Sequence, residues 1–237
     1  MRIGVSISKG LFRLALCLAC LSPVAVAQQP QQMPEPKAEP PVAKKNARPA
    51  GELEAAGEPF DKLTPEQMAG RCVTLETEQG DIRIEVLSEA APESARNFLN
   101  LVATGAFDTT TFSRVVKDFV VQGGNVATRE TLTPDLLRRA MRKVPDEPNP
   151  VKHLRGVVSL ARPAEANAAT THFFILLNDS PHLDGTFAAF GRVRTGMEVV
   201  DKIAAGELDG EKPKNPVRIR RATVWLCQPP RPDQPQK

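Results

Sequence analysis

The feature that most constrains the fold of this chain is a series of short, alternating apolar runs between residues 72 and 227. In the first two runs, 72–77 and 81–86, apolar and polar residues alternate, and Gln79-Gly80 separates them. Alternation with a period of two indicates half-buried strands, and the short turn indicates a hairpin. Further strand-like runs follow at 112–116, 119–122, 157–161, 172–177, 188–193 and 218–227. The pattern predicts a mainly β domain.

Two segments carry a helical pattern instead. Pro92 opens the first, and its apolar residues recur at helical spacing, at Ala95, Phe98, Leu99 and Val102. Gly105 suits the position just after the end of this helix. The second helix is predicted over about 197–205, with Gly206 at its end. Eight strands and two helices fit a closed antiparallel barrel capped by the helices, although strand counting alone would also allow a sandwich.

The N-terminal 27 residues are typical of an export signal. They contain three basic residues and no acidic residue, then an apolar run at 14–21 and Ala25-Val26-Ala27. This is a basic region, a short apolar region and a small-x-small cleavage site. The apolar run is short for a spanning helix, which needs about 20 residues. We therefore expect an exported, periplasmic protein. An uncleaved anchor and a membrane-anchored lipoprotein attached through Cys20 stay open as alternatives.

Composition divides the rest of the chain. Residues 28–70 contain eight prolines and few large apolar side chains, which predicts a disordered spacer. We expect the folded domain at 71–228 and a similar disordered tail at 229–237. Loss of residues 1–27 would leave 28 basic against 28 acidic residues. A near-neutral protein gives no argument for nucleic-acid binding.

The motifs that suggest a function lie between residues 112 and 193. Residues 112–125 read FSRVVKDFVVQGGN, residues 171–175 read THFFI, 183–185 read LDG and 190–193 read FGRV. In this order the segments resemble the cyclophilin family of peptidyl-prolyl cis-trans isomerases. The resemblance implies a closed eight-stranded antiparallel barrel with two capping helices, an isomerase that needs no cofactor or metal, and proline-containing polypeptide clients. We expect a monomer.

The resemblance also assigns residues to the reaction. It places Arg114 at the position of the family's catalytic arginine, where a guanidinium hydrogen bond to the prolyl nitrogen would stabilise the twisted peptide bond. It implies a substrate-binding set made of Phe119, Val120, Gln122, Arg162, Phe174, His182, Leu183 and Phe187. Phe173 alternates with Phe174 and should face the interior.

Several positions depart from the family pattern. His172 stands where glutamine is common, His182 where some relatives have tryptophan, and Phe187 where many have histidine or tyrosine. The histidines show no metal-ligand spacing, so no metal site is expected. The segment 129–150 is the least family-like part, and Thr133-Pro134 predicts a short helix or helical turn in it.

Two cysteines, Cys72 and Cys227, would remain after signal cleavage. In the cyclophilin barrel the strands that carry them are expected to be antiparallel neighbours, so the resemblance implies a disulfide between them, which an exported location would permit. Two unpaired thiols remain the alternative.

The functional hypothesis is an isomerase that speeds folding of exported proteins. The alternative is a proline-peptide-binding chaperone or scaffold module with incidental isomerase activity. A hydrolase is a third class, since Ser113 and Ser159 occur in the same chain as three histidines, but no GxSxG motif is present.

Overall fold

The computed structural model describes residues 58–227. The predicted signal peptide at 1–27, the first part of the predicted spacer and the predicted tail at 229–237 lie outside the described residues.

Antiparallel strands dominate this part of the chain. In chain order they are β1 (Arg71–Thr77), β2 (Gly80–Val86), β3 (Arg114–Val116), β4 (Val120–Gly123), β5 (Val157–Leu160), β6 (Phe173–Leu176), β7 (Ala189–Thr195), the short β8 (Leu208–Asp209) and β9 (Lys212–Pro213), and β10 (Ile219–Leu226). Eight of them form one sheet in the order β10-β1-β2-β7-β5-β6-β4-β3, and β8 pairs with β9 as a separate hairpin. The eight strands of the large sheet match the eight predicted runs, so the prediction of a mainly β fold is confirmed.

The sheet curls into a half-barrel and is not closed by a complete ladder. Its end strands are β10 and β3. An isolated bridge between Thr111 and Arg218 links the segments that precede them. The backbone N–H of Phe112 adds a 3.0 Å hydrogen bond to the carbonyl of Val217. The predicted barrel is therefore described more accurately as a curled sheet whose ends meet through short, irregular contacts.

The helices are α1 (Pro65–Met68), α2 (Pro92–Ala103), α3 (Pro134–Ala140) and α4 (Met197–Ala204). The two predicted helices correspond to α2 and α4. The Thr133-Pro134 signal also predicted α3 correctly, because the Thr133 side chain accepts a hydrogen bond from the N–H of Leu136. Helix α1 was not predicted, although Thr64 and Gln67 form a capping box at its start.

The main core lies between the large sheet and the helices α2 and α4. Its largest buried side chains are aromatic: Phe98, Phe107, Phe112, Phe173 and Phe190. Phe98 lies at the centre, with its ring centroid 4.8 Å from that of Phe190 and 5.3 Å from that of Phe173. Phe173 thus faces the interior, as its alternation with Phe174 predicted.

Residues 58–70 require a correction of the predicted spacer, because they are part of the folded domain. Phe60 and Met68 are buried in the main core. The side chain of Arg96 donates to the carbonyl oxygens of Phe60 and Leu63 at 2.5 and 2.6 Å. The Asn100 Oδ1 atom accepts from the N–H of Phe60 at 2.8 Å. Prolines in this segment suggested disorder, but α2 supplies the hydrogen bonds and apolar contacts that order it.

A disulfide joins Cys72 to Cys227, with the Cα atoms 5.1 Å apart. In the β1–β10 register Cys72 lies opposite Trp225, so Cys227 is diagonal to it, two residues further along. The Cys227 N–H also donates to the carbonyl of Gly70 at 2.8 Å. The Cα separation lies within the range of about 4.4–6.8 Å that a disulfide requires, so the alternative of two unpaired thiols is not supported.

Candidate functional site

The predicted site residues meet around a second, smaller apolar cluster, separate from the main core. Its buried members are Val120, Val157, Phe174, Leu176, Leu183 and Ala189. Phe119 and Phe187 are partly buried against it. Since successive strand residues point to opposite faces, Phe174 enters this cluster while Phe173 enters the main core. Strand β6 therefore lies between the main core on one face and the candidate pocket on the other.

The pocket has aromatic walls. The rings of Phe174 and Phe187 meet edge-on with centroids 5.8 Å apart. The ring of Phe119 lies 5.5 Å from that of His182. A short 3₁₀ helix, Pro181–Leu183, carries His182 on its exposed side and Leu183 on its buried side. The result is a small apolar site with an exposed, partly polar rim, which suits a compact apolar ring.

Arg114 and Gln122 lie side by side at the edge of this pocket. They are direct partners in the β3–β4 register, and Gln122 in turn faces Phe174 across β4–β6. The Arg114 Nη1 atom donates to Gln122 Oε1 at 3.3 Å. The strand register therefore places a guanidinium, an amide and an aromatic ring in one row on the same face.

A third group at this edge, Glu211, was not predicted. The Glu211 carboxylate accepts from Arg114 Nε at 2.7 Å. Its backbone carbonyl accepts from the N–H of Val115 at 2.8 Å, which fixes the β8–β9 turn against β3. Both side chains are about half exposed, so the pair contributes little to stability and mainly orients the guanidinium. The two residues are 97 positions apart, and no local sequence signal connects them.

Arg162 lies on the other side of the pocket. Its guanidinium is 5.2 Å from the centroid of the Phe187 ring, a cation–π contact. The Arg162 Nε atom also lies 3.3 Å from Asp146 Oδ1, which makes a salt bridge. Asp146 belongs to the segment after α3, and this segment also bridges to the loop beyond Arg162 through Val144 and Ala169. The segment 129–150, whose role the sequence left open, thus supports one wall of the site.

His172 extends the polar row from Gln122. Its Nδ1 atom is 3.4 Å from the Nε2 atom of Gln122. Burial lowers the pKa of His172 below its ordinary value of 6.5, because the surroundings disfavour the charged ring. His172 is therefore neutral at pH 7.

Behind the pocket lies a buried chain of polar groups, which the sequence reasoning did not predict. Ser159 Oγ is 3.1 Å from His153 Nε2, and His153 Nδ1 is 3.2 Å from Asp184 Oδ1. Burial lowers the pKa of His153, an effect that the hydrogen bond to Asp184 opposes. The backbone N–H of His153 and the ammonium of Lys152 lower the pKa of Asp184. Ser159 is fully buried, so it cannot reach a substrate and the arrangement does not support a hydrolase.

Within 58–227, no group of three or more histidine, cysteine, aspartate or glutamate side chains could hold a metal ion. Over the same residues, no helix is both long and apolar enough to cross a membrane.

Comparison with known proteins identifies the class that this pocket and half-barrel define. The family model for cyclophilin-type peptidyl-prolyl cis-trans isomerases matches residues 72–224. The chain therefore belongs to the cyclophilin family, and its enzymatic activity is peptidyl-prolyl cis-trans isomerisation.

Individual relatives agree with this assignment. The chain is 36% identical over 159 residues to peptidyl-prolyl cis-trans isomerase cypE of Dictyostelium discoideum, covering 66% of this chain and 99% of the relative. It is 34% identical over 165 residues to peptidyl-prolyl cis-trans isomerase A of Dickeya dadantii, covering 64% and 83%. Among solved structures, a Cryptosporidium parvum cyclophilin-type isomerase crystallised in the presence of the dipeptide Ala-Pro matches with a TM-score of 0.56 and 26% identity, covering 65% and 98%.

Proposed function

We propose that this isomerase twists X–Pro bonds with Arg114 as the donor to the prolyl nitrogen, and that its clients are exported polypeptides. The observation that carries the first part is the placement of Arg114 beside Gln122 at the rim of an apolar pocket built on Phe174 and Leu183. The second part rests on the sequence of residues 1–27 and on the disulfide.

The chemistry needs no nucleophile. Amide resonance opposes rotation with a barrier of about 18–20 kcal/mol. As the bond twists, the prolyl nitrogen regains a lone pair and becomes a hydrogen-bond acceptor. A guanidinium donor aimed at this nitrogen stabilises the twisted form more than the planar one, which lowers the barrier.

The pocket supplies the second requirement, a grip on the proline ring. Val120, Phe174 and Leu183 are almost fully buried, so the ring would enter an apolar floor. Phe119 and Phe187 form partly exposed walls. Gln122 would hydrogen-bond the substrate backbone, and Arg162 and His182 would contact residues next to the proline. The Cryptosporidium relative was crystallised in the presence of Ala-Pro, which supports a proline ring as the occupant.

Substitution of Arg114 tests the assignment. We expect Arg114→Ala to lower kcat/KM for a proline peptide by at least about tenfold, since one donor of this kind is worth about 2–4 kcal/mol in the transition state. The affinity for the same peptide should change much less. Lys117→Ala, on the exposed turn after β3, is the control for loss of a nearby positive charge. If rate and affinity fell in parallel, Arg114 would be a binding residue and the assignment would be wrong.

The proposal of an exported role rests on two features. Residues 1–27 combine basic residues, an apolar run and the Ala25-Val26-Ala27 cleavage signal. The Cys72–Cys227 disulfide suits an oxidising compartment such as the periplasm. Clients there would be newly translocated proteins whose X–Pro bonds otherwise exchange in about 10–100 s.

Processing of the full chain in a bacterial host tests this part. We expect the protein in the periplasmic fraction with Gln28 as its first residue, as read from the mass of the intact protein. Ala27→Phe should block cleavage, whereas Cys20→Ser should leave it unchanged. A mature protein that begins at a lipid-modified Cys20 would instead support the lipoprotein alternative, and full-length protein in the cytoplasm would contradict export.

A further inference from the structure

His172, Gln122 and Arg114 form a row of polar contacts on the face that carries the pocket. The Gln122 side chain bridges the other two, with Oε1 at 3.3 Å from Arg114 Nη1 and Nε2 at 3.4 Å from His172 Nδ1. Gln122 and His172 are partly buried, so these contacts are shielded from full competition with water.

The chemistry of the three groups fixes the direction of every hydrogen bond. A guanidinium can only donate, so the amide of Gln122 must turn its oxygen toward Arg114. Its NH₂ group must then face His172. The His172 Nδ1 atom therefore accepts, and the proton of the ring lies on Nε2. This orientation follows from Arg114 alone and requires a neutral His172.

We propose that neutral His172 is a positioning residue, which holds the Gln122 amide in the orientation that Arg114 needs, and that protonation of His172 lowers isomerase activity. A protonated ring would carry a hydrogen on Nδ1, so two donors would face each other. To avoid this contact between two donors, the Gln122 amide must rotate. The rotation would turn its NH₂ group toward the guanidinium and remove an acceptor from Arg114. The inference rests on the proposed roles of Arg114 and Gln122.

The surroundings of His172 agree with a neutral ring. From β4, Gln122 is its polar neighbour, and from the end of β5 the N–H of Ala161 donates to the His172 carbonyl at 2.9 Å. The nearest charges along this row are Arg114 and, beyond it, Glu211. Arg162, next to Ala161, is directed to Asp146 and Phe187. None of the carboxylates in the described part of the chain pairs with the ring, and burial alone lowers its pKa.

A lowered pKa keeps His172 neutral at pH 7 and above, so activity is full there. Activity should fall as the pH drops below 6.5 and passes through the pKa of the ring in the folded protein. Alkaline conditions should have no such effect.

The test is the pH profile of the isomerisation rate for a proline peptide, measured by NMR exchange between pH 4.5 and 8. We compare the wild type with His172→Gln and His172→Leu, each normalised to its own rate at pH 8. The isomerisation rate of the wild type should be at least about threefold lower at pH 4.5 than at pH 8. His172→Gln should be nearly flat, because a glutamine oxygen accepts at every pH.

His172→Leu should lower kcat at all pH values with little change in KM, because it fills the space without offering an acceptor. The midpoint of the wild-type decline should equal the pKa of His172, measured from its ring resonances. His153 and His182 remain in His172→Gln, so an unchanged decline in that variant would overturn the proposal. A flat wild-type profile across the titration of His172 would do so too. If Arg114→Ala matched the wild type at pH 8, the proposed role of Arg114 would fail, independently of the pH result.

Discussion

At the scale of single residues, two of the three guanidinium nitrogens of Arg114 contact other side chains of the domain. Nε contacts Glu211 and Nη1 contacts Gln122. Among the described residues Nη2 has no hydrogen-bond partner. Because the guanidinium is planar, two fixed nitrogens set the direction of the third. Glu211 and Gln122 therefore aim the remaining donor, which a lysine with its single flexible ammonium could not reproduce.

His182 allows a residue-scale prediction about cyclosporin. The cyclophilin resemblance implies a tryptophan here in proteins that bind this drug tightly, and its indole offers a large apolar face and one N–H donor. The exposed imidazole of His182 offers less area and lies against Phe119. We expect weak binding by the wild type and at least about tenfold tighter binding by His182→Trp, measured by calorimetry. Tight wild-type binding would show that this contact matters little.

At the scale of elements, the segment that precedes β1 contributes to the stability of the domain. Met68, at the end of α1, is fully buried in the main core. Met68→Ala should lower the free energy of unfolding by about 2–5 kcal/mol, as for other buried methionines. Met141→Ala is the matched control, because Met141 is 71% exposed and should change the free energy by less than about 0.5 kcal/mol. Urea denaturation of residues 58–237 measures both values, and equal midpoints would refute the assignment.

The buried chain from Ser159 through His153 to Asp184 joins β5 to the loop that carries Leu183. Burial lowers the pKa of His153 and of His172 below 6.5. The unfolded chain therefore binds more protons at acid pH, and stability must fall as the pH drops below about 6.5 toward the lowered values. Each histidine contributes at most about 1.4 kcal/mol per pH unit.

Urea denaturation at pH 7.5, 6.5 and 5.5 measures this slope. His172→Gln should reduce the slope, and the part that remains belongs to His153. A free energy of unfolding that stayed constant over this range in both proteins would contradict the lowered pKa values.

What the sequence predicted at the element scale depended on local patterns. Alternation predicted β1 and β2, and the Thr133-Pro134 cap predicted α3, because each signal lies within the element itself. The motif order also gave a set of predicted site residues, many of which the fold brings together around the smaller apolar cluster. The segment 58–70 was misassigned because its order depends on Arg96 and Asn100, which lie on α2. Glu211 and Asp146 were missed for the same reason: each is adjacent to the site only in the folded chain.

At the scale of the whole molecule, the two ends of the domain meet at one edge. The first and last strands, β1 and β10, are antiparallel neighbours over their full length. The Trp225 indole N–H donates to Thr74 Oγ1 at 2.9 Å, which adds a side-chain tie across the pair. Because terminal strands fray most easily, a covalent link here would hold the start of β1 and the end of β10 together.

The disulfide between Cys72 and Cys227 provides that link and gives the last prediction. It closes a loop with a sequence separation of 155 residues. In the chain-entropy model a loop of this length stabilises the folded state by up to about 5 kcal/mol, and measured values are usually smaller. The double variant Cys72→Ser/Cys227→Ser should therefore unfold at lower urea concentration, while its isomerase activity persists because the site residues lie on or near β3, β4, β5, β6 and the Pro181–Leu183 3₁₀ helix. Thiol titration of the unfolded, non-reduced protein provides the direct measurement. No free thiol and a monomeric mass are expected for mature protein without Cys17 and Cys20, whereas two thiols per chain would rule the bond out.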